Sequence, residues 1–186
     1  MVAAACSRRQ GRVVRSRIVG NPIERHRRAC DGFARVANAV PPDRWTRPTP
    51  CAEWDARALV EHVIGFHEVL LLRPMGVRAH RPRTDPAARW TATQHALFDA
   101  LAEPVDVLPA LTTDVLVHTW DLVRSANLPP DLDPELCASA CEALRATDLP
   151  RDSGMFAAAY PVAPDADAAT RLVAFYGRDP AWRGPG

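Results

Sequence analysis

The chain contains no lysine: all 23 of its basic residues are arginine. With 18 prolines and abundant alanine, that is the mark of a GC-rich coding bias, so the arginine excess alone carries no chemistry. Long hydrophobic runs are missing too. The longest, such as VLLL at residues 69–72, fall far short of the roughly 20 apolar residues of a spanning helix, which excludes a membrane bundle. The five cysteines (Cys6, Cys30, Cys51, Cys137, Cys141) include no C-x-x-C pair. An odd number without paired spacing argues against a disulfide framework and for reduced thiols in a cytoplasm. Strand periodicity is absent, as is any repeat of about 20–50 residues.

What is present is the composition of one ordinary globular domain: 186 residues, 47% hydrophobic and 24% charged. The formal charge of +1 hides an asymmetry. Residues 1–28 hold eight arginines against the single acid Glu24, leaving fifteen bases against twenty-one acids in the rest. An acidic body argues against a nucleic-acid-binding domain. The basic N-terminal stretch lacks the apolar centre of an export signal, because Arg8, Arg9, Arg12, Arg15 and Arg17 interrupt every run. It reads as a disordered extension over 1–20, with a nucleic-acid-binding arm as the other reading, ahead of a folded domain over 21–186.

From Asn21 onward the pattern is helical and predicts an all-α, four-helix bundle with long crossovers and additional C-terminal helices. Asn21 and Pro22 open a first helix to residue 40, with Ile23, Cys30, Phe33, Val36, Ala37 and Val40 on one face. Asp55 caps a second, to about residue 73, whose buried stripe is Leu59, Val63, Phe66 and Leu70, with Glu61 and Glu68 opposite. Thr84-Asp85-Pro86 opens a third helix, to about residue 103, and a fourth spans 107–127. Asp133-Pro134 starts a fifth that ends near residue 148, on which Cys137 and Cys141 pack as small thiols. A short last helix, 168–176, stops at Gly177.

The fourth helix carries the chemistry. Asp114, His118 and Asp121 fall at i, i+4 and i+7, a line that runs among Val107, Ala110, Leu111, Val117 and Leu122 on the apolar face. A carboxylate facing a core costs several kcal/mol unless a proton, an arginine or a metal compensates it. A metal suits the residue types, since side chains at i and i+4 sit about 5–6 Å apart at Cβ and can share one ion. His62, on the flank of the second helix's stripe, offers a third ligand. A His-Asp-His set leaves coordination positions open, the pattern of catalytic rather than structural zinc. Asp121 reads as a group that orients His118 or a neighbouring arginine from behind. His67 lies on the other flank and reads as a hydrogen-bonded core residue. Cys51 precedes the second helix, where a helix N-terminus can lower a thiol pKa. Packing with Trp54 at the bundle end is the preferred reading.

Three runs carry a resemblance: PTPCAEWDARALVEHVIG (residues 48–65), DVLVHTWDL (114–122) and ADAATRLVAFYGRDPAW (166–182). In that order they resemble the metal-binding proteins related to mycothiol-dependent maleylpyruvate isomerase, within the DinB/YfiT-like superfamily, over residues 23–182. The resemblance implies a four-helix bundle and a divalent metal, usually zinc (Zn2+), held by His62, Asp114 and His118. It also implies a small cofactor thiol such as mycothiol, activated by the metal. Asp114 stands where the isomerase has Glu, the segment 104–106 is short where relatives carry an insertion, and no counterpart of the isomerase's separate C-terminal domain is expected. The expected chemistry is metal-assisted: the ion lowers the pKa of a low-molecular-weight thiol, which then adds to an electrophile in an isomerase or S-transferase reaction. The expected partners are that thiol and electrophile, without nucleic acid or membrane. The other reading is a non-catalytic metal-binding module, structural or ligand-sensing.

Overall fold

In the computed structural model, which describes residues 21–79, 82, 85–144 and 157–184, the caps set the helix starts. Asn21 accepts a hydrogen bond from the Ile23 amide at 2.9 Å, and helix α1 (Pro22–Ala39) begins with proline at its first position. Asp55, Asp85 and Asp167 cap α2 (Ala56–His67), α3 (Pro86–Ala100) and α6 (Ala168–Phe175) in the same way, through amides of Ala58, Ala87 and Thr170. Helix α4 (Leu108–Ala126) ends on Asn127 in the left-handed conformation at φ 54°. Helix α5 (Pro134–Leu144) completes the set. No named strand occurs among the described residues; Pro48 and Asp55 form an isolated antiparallel bridge. None of the described helices is long and apolar enough to cross a membrane. The expected tail over 1–20, Cys6, Thr84 and the end of the fifth helix near residue 148 lie outside the described residues.

The fold is the expected all-α bundle. Helix α1 packs against α3 and α4, and α2 packs against the same two, so α1 faces α2 across the centre. Helices α5 and α6 pair with each other and cover the outer side of α4. The main core holds Phe33, Leu59, Val63, Trp90 and Leu122; a second apolar cluster gathers Leu71, Leu72, Leu97, Leu101, Leu108 and Leu111.

Two details depart from the sequence reading. In α2, Leu59 and Val63 are sealed, but Phe66 and Leu70 are 42% and 41% exposed. The helix carries a second regular stripe, Val60, Ile64, His67 and Leu71, one residue further on, and this one turns inward. Helix α2 also runs directly into a π turn, Glu68–Leu72, which buries Glu68 rather than leaving it opposite the core. In α4, the expectation of a single apolar face is too narrow. From Thr113 to Ala126 nearly every residue is buried, because α1 and α2 press on one side and α5 and α6 on the other. Ala110, placed on the core face by its spacing, is exposed, since it lies in the first turn before those neighbours close in.

Candidate metal centre

Helices α2 and α4 lie side by side, and their seam brings three sequence-chosen residues together. The Asp114 Oδ1 atom lies 3.4 Å from His118 Nε2 and 3.7 Å from His62 Nε2, and the three ligand atoms all fall within 4.8 Å of one another. Ligands of a tetrahedral zinc, with bonds of about 2.0–2.2 Å, sit about 3.3–3.6 Å apart, so the set needs little movement to close on one ion. The other carboxylate oxygen of Asp114, Oδ2, is buried without a hydrogen-bond partner among the described residues. A buried carboxylate oxygen left without a donor is the feature a cation at this seam would remove. Donor types, spacing and the orphaned oxygen fit a divalent ion of the zinc type.

Behind this triad stands a second layer that fixes its geometry. His118 Nδ1–H donates to Asp121 Oδ2 at 3.0 Å, which leaves Nε2 as the nitrogen facing Asp114. Asp121 is fully buried and takes a two-pronged contact from Arg178, with Nε 3.1 Å from Oδ1 and Nη2 2.8 Å from Oδ2. Asp121 therefore does both things open to it, orienting His118 and holding an arginine. Arg178 reaches it because Gly177, at φ +79°, turns the chain directly after α6. A side chain at residue 177 would place its Cβ 2.6 Å from the Ala157 Cβ, so the turn needs glycine both for its dihedral and for its space.

The walls are aromatic. The Trp54 ring lies 4.3 Å from the His62 ring and 5.7 Å from that of His118, and Phe66 lies 4.2 Å from His62. Phe66 is thus a site residue rather than the core residue its spacing suggested. The side chains of His62 and Asp114 keep 19% and 21% exposure against 7% for His118, so the open edge of the seam is on the His62–Asp114 side. Two cavities among the described residues, of about 250 and 420 Å³, lie elsewhere, against α1 and at the C-terminal end of α4.

The seam favours a protonated imidazole at His118. Burial alone would lower the His118 pKa, but the hydrogen bonds and charges of Asp114 and Asp121 outweigh it and hold the imidazole at about 9. Burial likewise pushes Asp114 up, and the two histidines more than reverse that, leaving its carboxyl well below the ordinary range. Tyr176 is pushed up to about 12, first by burial and then by the charge of Asp114. Cys51 is half-buried beside Arg178. Its thiol is pushed up, chiefly by burial, the opposite of an activated thiol. His67 is fully buried, with Nδ1 2.6 Å from the Val63 carbonyl, as a hydrogen-bonded core residue would be.

Sequence reasoning missed Arg178, Trp54 and Tyr176 as parts of this site. Arg178 and Tyr176 stand in the run YGRD beside a helix-stopping glycine, and Trp54 stands one residue before the α2 cap. Their roles depend on contacts across the fold that spacing along one helix does not reveal.

A family model described as the mycothiol maleylpyruvate isomerase N-terminal domain matches residues 26–121. The chain belongs to that family. The matched segment takes in His62, Asp114, His118 and Asp121 and stops before Gly177 and Arg178. Two proteins described as uncharacterized, from Mycobacterium tuberculosis strains CDC 1551 / Oshkosh and ATCC 25618 / H37Rv, are each 34% identical over 178 residues. The alignment covers 85% of this chain and 98% of each of theirs. No solved structure matches the chain.

Proposed function

We propose that His62, Asp114 and His118 hold one divalent metal ion, zinc in the first place, and that the site activates a low-molecular-weight thiol such as mycothiol toward an electrophile. The observation that carries this reading is the seam itself: one Asp114 carboxylate oxygen faces two imidazole Nε2 atoms, and the other is buried without a partner. Bound there, a divalent ion supplies the Lewis acidity that lowers a thiol's pKa toward neutrality.

The chain's own residues do the rest. His62, Asp114 and His118 offer three ligands and leave a coordination position for an exchangeable group, as a catalytic site requires. Asp121 and Arg178 hold His118 in the Nδ1–H tautomer and stop it from rotating away. Trp54 and Phe66 exclude water from the two sides of His62 and offer apolar surface to an organic electrophile. Cys51, with its raised pKa, is left out of the nucleophilic step. Membership of the mycothiol maleylpyruvate isomerase N-terminal domain family supports this class of chemistry.

Cobalt substitution tests it. A thiol bound through sulfur adds a charge-transfer band that oxygen and nitrogen ligands lack. Mycothiol, or a simpler thiol at higher concentration, is expected to raise that band in wild type and not in His62→Ala. Metal retained with no band at any thiol concentration would instead support the structural or ligand-sensing module.

A further inference from the structure

A second cluster of ligand-type side chains lies outside the seam. His26 and Cys30 stand one turn apart on α1, and His67 ends α2 across the centre of the bundle. All three are sealed from solvent. Their ligand atoms fall within 4.8 Å of one another, with His26 Nε2 3.2 Å from His67 Nε2 and 3.6 Å from Cys30 Sγ.

The hydrogen-bond pattern around the two imidazoles is what makes this cluster unusual. His67 Nδ1 lies 2.6 Å from the Val63 carbonyl, which can only accept, so Nδ1 carries the proton. The Thr112 hydroxyl donates to the Leu108 carbonyl at 2.7 Å, so it meets His26 Nδ1, 3.1 Å away, as an acceptor. His26 therefore carries its proton on Nδ1 as well. Both Nε2 atoms are then bare lone pairs, and they point into one space 3.2 Å apart. The thiol hydrogen of Cys30 can satisfy one of them. The other is open to a cation. An added proton is a poor one here: burial, and then the neighbouring His67, hold His26 down at about 3, and burial lowers His67 as well.

We propose that His26, Cys30 and His67 form a buried, three-coordinate site for a monovalent d10 metal ion of the Cu(I) type. Trigonal bonds of about 2.0–2.1 Å to nitrogen and 2.3 Å to sulfur separate two nitrogens by about 3.5–3.6 Å and nitrogen from sulfur by about 3.7–3.8 Å, so edges of 3.2 and 3.6 Å need to open by only a few tenths of an ångström. Sulfur and imidazole are the donor set of soft ions. Charge selects among those ions. Two neutral imidazoles and one thiolate balance a single positive charge, which matters where no solvent reaches, whereas a divalent ion would leave a net charge in the core. Closed zinc sites also take four ligands, and no fourth histidine, cysteine or carboxylate joins this group among the described residues. Metal binding here would replace the Cys30 thiol hydrogen, which leaves as a proton, and join α1 to α2 through the core.

The test uses the full chain with the seam first filled by zinc, under reducing, oxygen-free conditions. Cu(I) delivered from a chromophoric chelator is expected to give one tight equivalent. X-ray absorption at the copper edge should show one sulfur and two imidazole neighbours. Cys30→Ser is expected to lose that equivalent, while Cys51→Ser and the double variant Cys137→Ser/Cys141→Ser keep it. A copper equivalent that survives Cys30→Ser, or zinc displacing copper from these residues, would overturn the proposal. Nitrogen-15 spectra of the metal-free wild type need no variant to fold: both histidines should show protonated Nδ1 and bare Nε2. A proton on Nε2 of either ring would overturn the argument.

Discussion

Among the described residues two clusters each contain a pair of histidines, and beyond that pair they differ. The seam between α2 and α4 pairs His62 and His118 with the carboxylate of Asp114, keeps an exposed edge, and is braced from behind by Asp121 and Arg178. The central cluster pairs His26 and His67 with a thiol, has no carboxylate, and is sealed. The seam raises the His118 pKa to about 9 and so favours a protonated ring; the centre lowers the His26 pKa to about 3 and favours a neutral one. The lesson is that a histidine's neighbours decide its charge, and its charge decides which ions it can take.

The largest effect is expected from the brace, because only the seam depends on a buried charge pair. Arg178→Met takes the guanidinium away from the buried Asp121 carboxyl. Chemical denaturation of the metal-free protein should show a loss of about 3–5 kcal/mol. Metal affinity at the seam should fall about 10–100-fold as His118 loses its fixed orientation. Metal bound as tightly as in wild type would show that the brace is only structural.

The pH profile sharpens the contrast next. In the metal-free protein His118 has a folded pKa of about 9 against an ordinary 6.5, so its stabilisation is complete below pH 6.5 and lost as pH rises through 9. His26 runs the other way. Its folded pKa of about 3 lies below 6.5, so its contribution is present above pH 6.5 and lost as pH falls toward 3. Denaturation midpoints measured across this range with chelator present should form a dome of a few kcal/mol. His118→Gln should flatten the alkaline limb, and His26→Gln should flatten part of the acid limb. An alkaline limb unchanged in His118→Gln would contradict the proton assigned to the seam.

A smaller change is expected at the turn. Gly177→Ala meets a left-handed dihedral and a Cβ contact of 2.6 Å, and should cost about 1–3 kcal/mol while shifting Arg178 off Asp121. A thermal melt and a zinc titration read both parts. The smallest effect belongs to Cys51→Ser, which should leave metal content and the cobalt thiol band unchanged.

The sequence carried most of the fold, because its caps are explicit: Asn21, Asp55, Asp85, Asp133 and Asp167 all precede helices that form. The three candidate ligands were also legible, since two lie one turn apart on α4 and the third on an apolar flank. Facing was harder. Helix α2 carries two neighbouring stripes of equal regularity, and only its packing against α3 and α4 chooses between them. His26 went unread although it shares the i, i+4, i+7 line of Cys30 and Phe33, a position where a polar residue among apolar ones is the available signal. Arg178 could not be assigned from spacing, because 57 residues and a helix-ending turn separate it from Asp121.

The central claim is that His62, Asp114 and His118 share one divalent ion, and elemental analysis of purified protein tests it most directly. About one divalent ion per chain is expected in wild type, and none above background in His118→Ala. Equal divalent metal in the two proteins, both folded by circular dichroism, would contradict the account.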